Sequence, residues 1–450
     1  MKNNKTLIII SIILLNLLVV FMVGQAFLGK ESDRDKALRQ ARECVEQDLC
    51  RKAIGYYKDA LTSVEDLDTR IEMIAAYERG IENGEFDNAY SCFTEVEDIV
   101  ELYPADSRAY EAVCTFMEKF EQYETCAELL MQAEGRKVMS EGLDELLSRV
   151  KYLYKLSYTM YSEVSSEYSG SYLVKTDDVY NVVNSELSGL LGGTYSYASS
   201  FSEGYAFVRQ GFADSEYNSF VINTDGVRQC YLEGVTESSG VGKGANAKGE
   251  TVLLLAGKSG EKYQYYNLKG EVVFGDYMFA GRFRNNVAAV QESENSWRLI
   301  NAEGKPLIDK VFEDVILNEF DECAPKGLIF AKSGGKYYLY SASGAQIGNF
   351  SCDDARAFID DVTAFKSGDS WGFVNAGGEV VIQPQYEDAK AFSKGIAGVA
   401  NEGLWSFVDL EGNVVVEGNF EDAGYLGSNG LLFAKENGRW SALKMFYHAN

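Results

Sequence analysis

Near its C-terminus the chain spells one phrase twice. Trp371-Gly372-Phe373-Val374-Asn375-Ala376-Gly377-Gly378-Glu379-Val380-Val381-Ile382 is matched 34 residues later by Trp405-Ser406-Phe407-Val408-Asp409-Leu410-Glu411-Gly412-Asn413-Val414-Val415-Val416. A unit of this size cannot bury its own apolar face, so a chain that repeats at such a period repeats its structure and stacks the copies. The echo runs on: Tyr386-Glu387-Asp388-Ala389 corresponds to Phe420-Glu421-Asp422-Ala423. Phe392-Ser393-Lys394-Gly395-Ile396-Ala397-Gly398-Val399 is already present as Phe201-Ser202-Glu203-Gly204-Tyr205-Ala206-Phe207-Val208. Turn anchors keep the rhythm at Asn184, Asn223, Asn267, Asn301, Ser341, Asn375, Asp409 and, in degenerate form, Lys444, at intervals of 39, 44, 34, 40, 34, 34 and 35. A glycine stands three residues after six of these eight anchors. Asn, Asp and Gly are the residues that tolerate positive φ in tight hairpins.

From about residue 157 to 450, short alternating runs rich in Val, Tyr and Phe are broken by such turns, which is the mark of β-hairpins. All four tryptophans, Trp297, Trp371, Trp405 and Trp440, lie four residues before an anchor; Tyr180, Tyr263 and Tyr337 hold that place in other copies, and Ser219 is the exception. One aromatic per copy at a fixed phase is expected to pack between units, the alternative being a ring of exposed aromatics that stacks on sugars. The pattern resembles the bacterial WG repeat, named for its Trp-Gly pair, although only Trp371-Gly372 shows the literal pair and other copies read Trp-Ser or Trp-Arg. The resemblance implies an all-β repeat domain of a kind common in exported bacterial proteins, and it implies no established activity. Seven to eight units of three or four strands suit a closed β-propeller, which leaves few exposed strand edges; an open β-solenoid is the alternative. The last copy stops after Trp440-Ser441-Ala442-Leu443 without its final Val-rich strand, and Tyr158-Thr159-Met160-Tyr161 is placed to supply it and close the ring.

Residues 33–155 read differently. They are rich in Ala, Leu, Glu, Lys and Arg, and their apolar residues recur at three and four, as in amphipathic helices. Ala53, Tyr57 and Ala60 set a spacing that Ala89, Phe93 and Val96 repeat 36 residues on, and Cys126, Leu130 and Ala133 repeat after another 37. Small residues one turn either side of a large one let two helices approach closely. The stretch Gly84-Glu85-Phe86-Asp87-Asn88-Ala89, running on to Pro104, resembles a tetratricopeptide repeat, with a period longer than that family's and a closing proline in the middle copy alone. The resemblance implies a short α-helical solenoid whose concave face is able to grip a peptide; a helical stack serving only as a spacer is the other reading.

Ahead of these lies an apolar run, Leu7 to Val23, that weakens toward Leu28 and follows Lys2 and Lys5. A helix of about 20 residues spans a hydrocarbon core of about 30 Å, and lysines before the run place the N-terminus in the cytoplasm. The expected order is therefore a cytoplasmic tail at 1–6, a transmembrane anchor at 7–29, tetratricopeptide-like helices at 33–155 and a WG-type β-domain at 157–450. A signal peptide cleaved near Gly24-Gln25-Ala26 is the rival, and it too exports the remainder.

Composition narrows the chemistry. A net charge of −26 repels phosphate backbones and anionic lipid heads, so nucleic acid is not expected as a partner. The single histidine, His448, sits two residues from the end, where a free terminus is expected, and this leaves no imidazole for a Ser-His-Asp or Cys-His system. Eight cysteines form no CxxC pair and read as small buried thiols; the alternative is bridging, which an exported compartment permits, with Cys44 and Cys50 near enough in sequence to meet. Gly257-Lys258-Ser259 lacks the glycine a phosphate loop needs at Val252 and falls in a hairpin. Gly240-Val241-Gly242-Lys243-Gly244, in the longest interval, reads as an inserted surface loop. The acidic pairs Asp353-Asp354 and Asp360-Asp361 read as repeat turns like Glu387-Asp388 and Glu421-Asp422. No catalytic, cofactor-binding or metal-ligating set is expected. The sequence reads as a single-pass membrane protein, its bulk extracytoplasmic, acting as an interaction scaffold for an envelope protein rather than as an enzyme; a carbohydrate- or cell-wall-binding module is the alternative.

Overall fold

The computed structural model describes residues 32–86, 88–211 and 217–448. The chain divides into two compact units, Met1–Val150 and Lys151–Asn450. The expected tail and anchor, residues 1–29, lie outside the described residues, and among the latter no helix is long and apolar enough to cross a membrane.

Among its described residues the first unit holds seven helices: α1 (Asp33–Glu46), α2 (Cys50–Ser63), α3 (Leu67–Glu82), α4 (Tyr90–Glu97, with a one-turn continuation Ile99–Leu102), α5 (Ser107–Lys119), α6 (Tyr123–Arg136) and α7 (Glu141–Val150). Local chemistry starts them. Ser32 Oγ accepts from Asp35 N at 3.1 Å and Asp66 Oδ1 from Thr69 N at 2.9 Å, each satisfying an N–H that the helix leaves orphaned. Glu85 caps α2 from a distance, accepting from the N–H groups of Cys50 and Arg51 at 2.9 and 2.8 Å, where a carboxylate also meets the positive end of the helix dipole. The repeated small-large-small spacing is buried where a full helix carries it: Ala53, Tyr57 and Ala60 in α2, and Cys126, Leu130 and Ala133 in α6. In the middle copy Ala89 falls on the N-cap of the short α4, so that copy has lost part of its packing face.

The second unit is a ring of eight antiparallel sheets. Six are consecutive four-stranded or three-stranded meanders from Tyr197–Ala198 through Val414–Phe420, preceded by the sheet Glu163–Tyr168, Ser171–Thr176, Val179–Val183. The eighth is made from both ends: Asp422–Ala423, Leu431–Glu436 and Arg439–Met445 are joined by Tyr154–Tyr161. Met160 pairs with Ser441 and Tyr161 with Trp440, so the strand expected to close the ring does so. It begins earlier than Tyr158, since Tyr154, Lys155 and Leu156 already pair with Met445, Lys444 and Leu443.

Each blade is apolar on both faces, and eight separate cores fill the eight joints. The core around Trp371, Phe373, Ala389 and Val399 joins the sixth and seventh blades. That around Trp405, Phe407, Leu432 and Leu443 joins the seventh and eighth. The last joint is closed by Tyr161, Phe433 and Ala442 against Tyr172, Val174 and Val183. Trp371 and Trp405 are buried between blades as the fixed phase requires, and the cations Arg356 and Lys390 lie over their rings at 4.5 and 5.1 Å.

The turn anchors work by one device. Asn375 Oδ1 accepts from Gly377 N at 3.0 Å and Glu379 N at 2.9 Å. Asn184, Asn223, Asn267, Asn301 and Asp409 make the same pair of bonds to the second and fourth residues beyond them. The acidic turns are a second device. Glu313, Asp353, Glu387 and Glu421 accept from the turn glycines Gly334, Gly368, Gly403 and Gly438 at 2.6 to 2.9 Å, tying the entry of a blade to its central hairpin.

Two expectations are overturned. Gly240–Gly244 is no surface loop; it lies in the 11-residue strand Val235–Ala245, paired along Thr251–Ser259. Its glycines are there because the next blade is too close for anything larger: a Cβ on Gly242 would stand 2.5 Å from Phe283 N, and one on Gly244 2.6 Å from Ala302 Cβ. His448 likewise is no free end. It is partly buried against Gly430, and burial lowers its pKa.

Candidate binding site in the propeller channel

Residues on or just after the first strands of several blades converge on one cavity of 520 Å³, which identifies those strands as the inner ones lining the axis of the ring. Its wall includes Ser166, Asp314, Asp354, Arg356, Lys390 and Tyr425, with Trp297 reaching in from the fourth blade. The two cations are held by the blade that follows each: Arg356 Nη2 donates to Asp388 at 2.8 Å, and Lys390 Nζ stands 3.2 Å from Asp422. Asp314 accepts from Tyr337 Oη at 2.5 Å.

The floor of this cavity is a loop that breaks the repeat. Between Asp314 and Gly327 the fifth blade carries six residues more than lie between Asp388 and Gly395. The extra chain folds on Asn318, whose Oδ1 accepts from Phe320 N and Glu322 N at 3.0 and 2.9 Å, as a turn anchor does. Glu319 accepts from Ser166 N at 2.8 Å, and Glu322 from Tyr168 Oη at 2.6 Å, across 153 and 154 residues of chain. A second cavity of 290 Å³, lined by Phe320 and Glu322 of the same loop, shares Ser166, Asn318 and Ile359 with the first.

Beneath the loop lies a buried charge pair. Arg282 and Glu322 are 1% and 2% exposed at the side chain and stand 3.9 Å apart. Arg282 Nη2 donates to Ser200 Oγ at 3.3 Å and to the Ser239 carbonyl, while its backbone N–H donates to the Asp321 carbonyl at 2.9 Å. The guanidinium lies 4.8 Å from the Tyr168 ring centroid and 5.6 Å from that of Phe320, which themselves meet edge to face. Among the described residues its Nε and Nη1 make no hydrogen bond: Nη1 faces Glu322 at the ion-pair distance, and the two rings flank the guanidinium. Arg282, Glu322 and Tyr168 thus bind the first five blades across the axis.

Burial shifts the loop's acids. Glu319 stands open to channel solvent yet is ringed by protein, and loss of hydration pushes its carboxyl up. Asp321 is raised to about 6, desolvation outweighing the opposing charge of Arg282. The folded protein therefore holds a proton on Asp321 between about pH 4 and 6 that the unfolded chain releases, so this contribution to stability is present at low pH and lost as pH rises through 6. Wild type is expected to gain about 1–2 kcal/mol relative to Asp321→Asn on going from pH 7 to pH 5. Urea midpoints followed by tryptophan fluorescence check this, because all four tryptophans lie in the propeller. Equal shifts in both proteins would show that Asp321 keeps an ordinary pKa.

The sequence-singled residues fall mostly into structural roles. Lys336 and the Gly368 N–H hold Asp353, and Asp360 accepts from Lys394 N at 2.6 Å. Gly257-Lys258-Ser259 lies within the strand Thr251–Ser259. Seven of the eight cysteines are buried, Cys230 being partly exposed. Among the described residues no group of three or more His, Cys, Asp or Glu side chains stands together to hold a metal. Asn246 and Asn318 are anchors the repeat phase did not reveal. Asn246, bonded to Lys248 N and Glu250 N at 2.9 and 3.0 Å, accounts for part of the 44-residue interval.

Eight blades of one pattern, closed by the two ends of the domain, define a repeat-built β-propeller protein. The WG containing repeat matches residues 193–211, 371–405 and 405–440, so the propeller carries WG repeats. No curated protein matches it. Among solved structures it is similar to BamB from Moraxella catarrhalis, at 12% identity and a TM-score of 0.43 over 64% of this chain and 100% of that one. It is also similar to a eukaryotic initiation factor, at 14% and 0.42 over 66% and 88%.

Proposed function

We propose that this protein is an extracytoplasmic scaffold, tethered to the cell membrane by residues 7–29, that binds an envelope protein. The observation that carries the reading is the buried hub of Arg282, Glu322 and Tyr168 in a ring closed by its own ends, which makes the propeller a rigid platform and leaves its exposed loops to present contacts. The helices of the first unit serve, in this reading, as a tetratricopeptide-like solenoid that grips a peptide segment of the partner. The apolar run with lysines ahead of it supports the topology. Protease treatment of intact cells is expected to remove the propeller while a peptide containing Leu7 to Leu28 stays in the membrane fraction. A propeller protected in intact cells and digested after lysis would place it on the cytoplasmic side.

A second reading, a carbohydrate-binding module, is favoured by the 520 Å³ cavity, where the aromatic Trp297 and Tyr425 stand with the carboxylates Asp314 and Asp354. Aromatic faces and carboxylate acceptors together suit a polyhydroxylated ring. A glycan array separates the readings, since only the second is compatible with a retained saccharide.

A further inference from the structure

In the helical unit, α5 and α6 cross at two cysteines. Cys114 and Cys126 are each 0% exposed. The Cys114 sulfur lies 3.9 Å from the Cys126 carbonyl oxygen, and the Cys126 sulfur 3.6 Å from that of Cys114. These crossed contacts set the two backbones against each other within the hairpin, with each sulfur reaching the backbone of the other cysteine. Packing does not demand sulfur here. Ala41 and Ala53, also 12 apart and both fully buried, fill the first helical pair without it.

We propose that Cys114 and Cys126 are a modification site: they form a disulfide that staples α5 to α6. The step is thiol–disulfide exchange. The thiolate of one cysteine attacks a sulfur of a donor disulfide, forming a mixed disulfide and releasing one donor thiol. The thiolate of the other attacks the protein sulfur of that mixed disulfide, the intramolecular S–S bond forms, and the second donor thiol leaves. Two electrons and two protons pass to the donor, a small or protein disulfide of the oxidising compartment. In the folded protein the contact with Cys126, together with burial, pushes the Cys114 thiol well up. Exchange therefore takes place as the hairpin folds, before the sulfurs are enclosed. The bond closes a short loop within one hairpin, between two side chains that already reach across it.

Occurrence in cells rests on the extracytoplasmic placement proposed above; formation in the purified chain does not. The full chain is refolded in a mixture of oxidised and reduced glutathione, denatured, alkylated without reduction and digested with trypsin. The expected result is six alkylated cysteines of the eight, with peptide 109–119 linked to peptide 120–136. Eight alkylated cysteines, or a bond elsewhere with Cys114 and Cys126 both alkylated, would overturn the proposal. Cys126→Ala, which restores the residue found at 53 and 89, is expected to abolish the linked peptide and leave seven alkylated thiols; Cys114→Ser does the same should that variant fold poorly. The same mapping on acid-quenched cells then tests placement: a pair that forms in the purified chain and is missing in cells supports the site and overturns the export reading.

Discussion

Replacing residues 154–161 in the full chain with a glycine–serine segment of equal length is expected to lower the propeller's unfolding midpoint by about 8 °C or more. Two losses combine. Tyr161 leaves the joint it fills with Phe433 and Tyr172, a truncation of the kind that costs about 3–5 kcal/mol for a buried aromatic. The strand Arg439–Met445 then presents a row of unpaired N–H and C=O groups, which invites pairing between molecules. Tryptophan fluorescence on heating, with light scattering for association, reads both effects. A midpoint within about 2 °C of wild type, with no association, would mean that the eighth blade stands without its borrowed strand.

The second large effect is expected at the hub. Arg282→Met keeps the length of the side chain and removes its charge, leaving the Glu322 carboxylate enclosed with the Tyr168 hydroxyl and the Asn318 side-chain amide as its polar partners. Breaking a buried pair from one side costs about 3–5 kcal/mol. Arg282→Met with Glu322→Leu removes both ions and is expected to recover most of that loss, because the desolvation of each charge disappears with it. Urea midpoints of wild type, single and double variants form the measurement. A single variant costing less than about 1 kcal/mol would show that water reaches Glu322 once the arginine is gone.

The contrast between these two sites explains what could be read from the chain beforehand. The blades were legible because their devices are local: an Asn oxygen bonded to N–H groups two and four residues on leaves a trace in any window of five residues. The closing strand was legible from phase, since a last copy lacking one strand needs a partner for Arg439–Met445. Asn318 carries the same local chemistry but sits off phase, and the only trace of its loop was an interval of 40 where 34 is usual. The hub itself joins residues more than 150 positions apart, and nothing near Arg282 or Glu322 names the other. Gly240–Gly244 misled for a related reason. Glycine marks turns when its own backbone requires it, and here the requirement comes from Phe283 and Ala302 in the neighbouring blade. In the helices, spacing alone placed Ala89 in the series with Ala53 and Cys126, yet the chain starts α4 at Tyr90 and leaves Ala89 half-buried on its N-cap.

The borrowed strand also sets an order of events. Tyr154 finds Met445 only when almost the whole domain has been delivered, so seven blades can be assembled and still be an open arc with two raw edges. Such a contact, joining one end of a domain to the other, is among the slowest to form. A chain cut short by a dozen residues would therefore not be slightly less stable but topologically unfinished, and the ring acts as its own proof that synthesis reached the last strand.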